Sequence, residues 1–229
     1  LRKFIWLIII IILLGDFILA FNIRQSFIKD TDINLHINNK EISYESVEYE
    51  DDMAKSFIKN EDIANLNQLE KISPIIVKVK VDDSAKREIY EGTTLTKVII
   101  KEVFKGELNQ DSMYVFEPFD CYNGDKLYYL YSLDGYNIMN KDSEYILFLR
   151  GMKDSNYTPD DTIYMPTTTL LSKYSINNTI LKLNDAKLTN NEVKYYNVKD
   201  LDIISNNSKN IDKYNEMKLN VLKKYENID

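Results

Sequence analysis

The sequence predicts a mainly β fold: a small antiparallel β-barrel with flanking helices, carried behind an N-terminal transmembrane helix. Three observations lead there. Residues 75–107 hold two long strand patterns, IIVKVKV and TKVIIKEVFKGEL, separated by a polar connection. Residues 4–21 are apolar almost without interruption. Residues 211–225 repeat apolar side chains at helical spacing.

In the first strand Ile75, Val77, Val79 and Val81 point one way and Ile76, Lys78, Lys80 and Asp82 the other, the pattern of a sheet with one wet face. In the second, Thr96, Val98 and Ile100 point inward, with Lys97 and Lys101 outward. The alternation slips at Glu102-Val103, which predicts a β-bulge and the bend that a small barrel needs. Lys105-Gly106 closes the strand, and Met113 to Glu117 supply a third, limited by Pro118. Asp134-Gly135, between LYYLYSL and YNIM, predicts a two-residue hairpin. Tyr145 to Leu149 is apolar on both faces and reads as a central strand. Residues 152–166 read as a long loop, and Asn177-Asn178 as the turn of a last hairpin.

Asp62 is the expected cap of a helix presenting Ile63, Leu66, Leu69 and Ile72, ended by Ser73-Pro74. Before it, Ile33, Leu35 and Ile37 alternate as in a short strand, with residues 42–47 as its hairpin partner. Glu45, Glu48, Glu50, Asp51 and Asp52 form an acidic cluster, read as a solvated linker rather than a cation site. Residues 193–204 are mixed, holding a strand or a short helix. Ile211, Tyr214, Met217, Val221, Leu222 and Tyr225 share one face of an amphipathic helix expected to lie on the barrel.

The anchor is argued from length and flanks. As a helix, residues 4–21 are about 27 Å long at ~1.5 Å per residue, close to the ~30 Å of a bilayer core. Arg2 and Lys3 precede the segment, which places the N-terminus inside and the remainder outside. A cleaved signal peptide is the competing reading, with Ala20 followed by Phe21 as a poor cleavage site. The expected organisation is therefore an anchor over 1–21, an acidic stalk over 22–62, a barrel domain over 63–185 and a C-terminal extension over 186–229.

The chain of 229 residues carries a net charge of −7, which opposes nucleic-acid binding. It has one cysteine, Cys121, and one histidine, His36, so no internal disulfide forms and a Cys–His pair is poorly supported. No phosphate loop, dinucleotide fingerprint, HExxH, GxSxG or CxxC occurs, and neither cofactor nor metal is expected. Asp154, Asn156, Thr158, Asp160 and Asp161 alternate oxygen ligands, but the glycine and distal glutamate of a calcium loop are missing. Glu117 and Asp120, beside Tyr122, are the one pair suited to a carboxylate-dependent hydrolase.

Tyr122, Tyr128, Tyr129, Tyr131 and Tyr136 form the candidate recognition surface, because tyrosine combines a packing ring with a bonding hydroxyl. Simple alternation would send half of them into the core instead.

The order of helix, SPIIVKVKV, polar loop, TKVIIKEVFKGEL, short strand, EYILFL and KYSINNTILKL, over about residues 63–183, resembles uncharacterised cell-surface and lipoprotein-like domains of Gram-positive bacteria. That resemblance implies an OB-type barrel, similar in outline to the inhibitory domain of tissue metalloproteinase inhibitors. Those inhibitors bind zinc through an N-terminal cysteine that has no counterpart here, so inhibition does not carry over. The expected function is non-catalytic binding of a protein or cell-envelope ligand outside the membrane. An envelope hydrolase and a structural subunit of a membrane complex are the alternatives.

Overall fold

A computed structural model of the chain describes residues 32–47, 56–90, 92–123, 128–152, 163–176 and 193–227. The apolar segment 4–21, most of the acidic cluster, the 154–161 loop and the Asn177-Asn178 turn lie outside the described residues. Among the described helices none is long and apolar enough to cross a membrane.

The centre is a closed five-stranded barrel. Its strands are β2 (Ile75–Val81), β4 (Thr93–Lys105), β5 (Ser112–Glu117), β8 (Glu144–Gly151) and β9 (Ile163–Pro166). The order around the ring is β2-β4-β5-β9-β8, returning to β2, with β5 and β9 parallel and the other pairs antiparallel. Residues 152–166 are thus not all loop. Ile163–Pro166 seal the barrel, pairing Ile163 with Tyr114 and Pro166 with Leu149. The short β3 (Glu88–Tyr90) forms a hairpin with the start of β4, and the short β10 (Lys173–Ser175) pairs antiparallel with β8.

The two β4 irregularities flank the predicted slip. Ile76 pairs Lys105 while Val77 pairs Val103, so Phe104 is an extra residue; Lys101 is extra in the same way. Each bulge turns the strand. Phe104 thereby faces outward, its ring 4.7 Å from that of Tyr225.

Two apolar layers share the barrel wall. Val77, Val79, Val98, Met113, Val115, Leu147 and Leu149 fill the interior. Ile76, Ile146 and Phe148 point outward and are covered by α2 (Leu66–Ile72), the 170–171 loop and the long α3 (Ser208–Tyr225). This explains why YILFL is apolar on both faces. It also corrects the wet face expected for β2: Lys78 is bonded to Glu226 at 2.8 Å, at the end of α3. The cap of α2 is Asn65, not Asp62. Its side chain accepts from the Gln68 amide, satisfying one free helix donor, and the Gln68 side chain accepts from the N–H of Ala64, just before the cap.

A second sheet lies against the barrel, with β1 (Ser43–Val47) and β7 (Tyr128–Leu133) at its centre, β6 (Phe119–Asn123) at one edge and β11 (Val193–Lys194) at the other. Residues 32–47 belong to this body. Ile33–Ile37 is a helix, α1, rather than a strand: Asp32 caps it by accepting from Asn34, and Ile33 and Ile37, four apart, share its apolar side. Strand β1 consequently has no hairpin partner at 33–37. It runs parallel to β7 instead.

The turn at Asp134-Gly135 forms, with both φ positive and the Tyr136 amide bonded to Leu133 O at 2.9 Å. No returning strand follows it. The Gly135 carbonyl accepts from Ile204, and Tyr136 bridges to Ile203. A Cβ at Gly135 would sit 2.2 Å from Ile204 O, so only glycine permits this approach.

Met217 is buried in the outer layer, whereas Leu219, two residues on, is 56 % exposed. Met217→Ala should lower unfolding free energy by ~2–5 kcal/mol in chemical denaturation. Leu219→Ala should stay within ~0.5 kcal/mol. Equal effects would mean that α3 does not lie on the barrel.

Candidate functional site

Glu117 sits at the end of β5 with no exposure. One oxygen accepts from Arg87 at 2.6 Å and from the Thr96 hydroxyl. The other accepts from the Tyr136 hydroxyl and the Met139 amide, both at 2.8 Å. Arg87, also buried, donates further to Thr96 at 3.1 Å and to Met139 O at 2.9 Å. With four donors, one of them its paired cation, this carboxylate is fully engaged inside the fold.

A second buried ionic group ties the barrel to α3. Asp202 accepts from Lys218 at 2.6 Å and Ser175 at 2.7 Å, with the Tyr214 hydroxyl at 3.0 Å. Burial would raise the Asp202 carboxyl, but Lys173 and Lys218 hold it below its usual value. Lys173 donates to Asp202 O at 3.0 Å and lies over the rings of Tyr136 and Tyr145 at 5.1 and 5.0 Å. Burial lowers its pKa, with Asp202 opposing.

The carboxylate pair suggested for hydrolysis is thereby divided in role. Glu117 belongs to the buried network. Asp120 accepts from Tyr131 at 2.9 Å and from Cys121 N–H, and burial raises its carboxyl despite those bonds. Burial first, and the Asp120 charge second, push the Cys121 thiol up to about 12, so it is a poor nucleophile at neutral pH. Among the described residues no three acidic, histidine or cysteine side chains converge to hold a metal ion.

The tyrosines separate by strand parity. Tyr122 on β6 is directly opposite Tyr129 on β7, and Tyr131 follows two residues on, all on the outer face of the second sheet. Their ring centroids are 5.0 Å apart (122–129) and 6.2 Å apart (129–131). Tyr122 is 51 % exposed, and the other two are half-buried. Partial burial, then the nearby Glu45 charge, raises the Tyr129 hydroxyl. Tyr136 lies in the core instead, held by Glu117. The Tyr128 side chain is outside the described ones.

A cleft of about 310 Å³ opens elsewhere, among α1, the turn after β2, residues 138–142 and residues 199–200. Its deep wall includes Val81, Ile138, Met139 and Tyr195, all buried. Sequence reasoning passed over this place and over Arg87, Lys173, Asp202 and Lys218. The one available signal was a charged residue next to strand patterns, which a surface residue gives equally.

The chain matches no protein-family model, no curated protein and no solved structure.

Burial pushes the hydroxyls of Tyr44, Tyr136, Tyr174, Tyr195 and Tyr214 above their ordinary value of 10. Groups raised on folding stabilise fully below their unfolded pKa, and that contribution is lost as pH climbs past it. Stability should fall above pH ~10, the tyrosine value in an unfolded chain. Tyrosinate absorbance from these five should then appear in one step with the loss of far-UV circular dichroism. Their ionisation with the dichroism intact would contradict this burial.

Proposed function

We propose that the chain is a membrane-anchored, outward-facing recognition module that binds a protein or cell-envelope ligand without catalysis, and that its barrel is of the OB type. The OB reading is supported by the ring order. Numbered within the barrel alone, the strands run 1-2-3-5-4, with the third and fifth parallel and the fifth closing on the fourth, a five-stranded Greek-key arrangement. The anchor reading rests on the length and flanks of residues 4–21 alone.

The observation that carries the binding reading is the strip Tyr122–Tyr129–Tyr131. Its ring contacts run along the outer face of a sheet whose inner face is already occupied by Leu130, Tyr44 and Phe119. Rings held in a row offer contact area with little side-chain entropy left to lose. Against catalysis stands the fate of the ionisable groups. Glu117 is paired with Arg87 and Asp202 with Lys218 in the interior, and the Cys121 thiol is pushed upward.

The test is co-sedimentation of the complete chain with purified cell-envelope fragments, with soluble glycan release measured on the same samples. Tyr122→Ala with Tyr129→Ala should weaken retention by about tenfold, the loss of one interface hot spot. No glycan should be released. Retention unchanged by the two substitutions would refute the strip, and turnover by the purified chain would refute non-catalytic binding.

A further inference from the structure

We infer that the 310 Å³ cleft beside α1 is a binding site for a sugar unit that carries no anionic substituent. The inference concerns a different surface from the tyrosine strip and does not depend on it.

The lining has two characters. The apolar side that a ligand meets is the half-buried Ile37, backed by Val81, Ile138, Met139 and Tyr195, none of them more than 4 % exposed. The remainder is polar and mixed, with the amides Asn34, Asn38 and Asn140, the acids Asp83 and Asp142, and Lys141. The side chains of Asp83, Asp142 and Lys141 make no hydrogen bond or ion pair among the described residues, so they are available to a ligand. A pyranose ring matches this division. Its C–H face suits the half-buried Ile37, and its hydroxyls both donate to carboxylates and accept from amides and ammonium groups.

Charge and geometry remove the other ligand classes. Phosphates and other anions meet Asp83, Asp142 and Asp200, against Lys141 and Lys199, while Asp82 is paired with Lys97 at 3.3 Å. Arg87, at the back, is already neutralised by Glu117. The balance is negative, which repels anions. A bare cation is disfavoured because no three of the described acids converge on one point. An apolar ligand would cover the carboxylates of Asp83 and Asp142 and leave them without partners. The volume is at the small end for ligand pockets, which fits one or two sugar rings rather than a long chain.

The site is tested by calorimetric titration of the complete chain with three disaccharides: diacetylchitobiose (neutral), chitobiose (cationic) and digalacturonate (anionic). Heat of binding is expected with either of the first two and not with the third. A preference for chitobiose would mark the ligand as an amino sugar, and a preference for diacetylchitobiose as a neutral one. Asp83→Ala with Asp142→Ala, both on exposed positions, should weaken that binding at least about tenfold, equivalent to ~1.4 kcal/mol. Tyr122→Ala with Tyr129→Ala should leave it unchanged. The inference is overturned by absence of binding to both non-anionic sugars, by a preference for digalacturonate, or by loss on the tyrosine variant with the aspartate variant unaffected.

Discussion

The structure turns on one carboxylate. Glu117 ends a barrel strand, and its four partners come from four places in the chain: Arg87 before β3, Thr96 in β4, Tyr136 after the 134–135 turn, and the Met139 backbone. A charge buried this deeply is tolerated only when paired and fully hydrogen-bonded. Once it is, each partner is fixed to the others. The ring of Tyr136 extends the connection further, since Lys173 lies over it and reaches Asp202, which in turn holds Lys218 of α3. Barrel, second sheet and C-terminal helix are thus joined through polar contacts in the interior as well as through apolar packing.

This arrangement constrains what the surface can do. The barrel wall carries apolar side chains inside and out, and α2 and α3 cover much of the outer set. The second sheet has its inner side filled by Leu130, Tyr44 and Phe119, and its opposite side is buried towards Leu133, which packs with Phe57 and Met165. Its outer side is where Tyr122, Tyr129 and Tyr131 remain reachable, and the recognition reading proposed for the chain follows from that asymmetry. A wide sheet face backed by a rigid barrel presents side chains without a cost in ordering them.

The sequence made the barrel strands legible because their inward positions alternate strictly: Val77, Val79 and Val81 could face nowhere else. The bulge near Glu102-Val103 was legible for the same reason, as an interruption of that alternation. What escaped was everything decided by distant partners. Ile33–Ile37 fits a period of two and a spacing of four equally well, and the Asp32 cap with burial against the second sheet selects the helix. The 134–135 turn was read correctly, but its continuation was set by Ile204, sixty-nine residues from Gly135 in sequence. Strand β9 is four residues long and pairs with strands on both sides, so no local period announces it. The tyrosines divided by parity: Tyr122, Tyr129 and Tyr131 fall on the face opposite to Leu130, while Tyr136 lies beyond the turn. Arg87 and Asp202 look like surface charges until their partners are known.

The most direct test of the Glu117 account is native-state hydrogen exchange of the complete chain with and without Glu117→Gln. Replacing the carboxylate leaves Arg87 buried without its counter-charge, a loss of ~3–5 kcal/mol. The account predicts that amides of β7 in the second sheet and of α3 lose protection together, by the same free energy as the barrel strands. Loss confined to β5 and its barrel neighbours, with β7 and α3 keeping their protection, would show that the carboxylate does not join these parts.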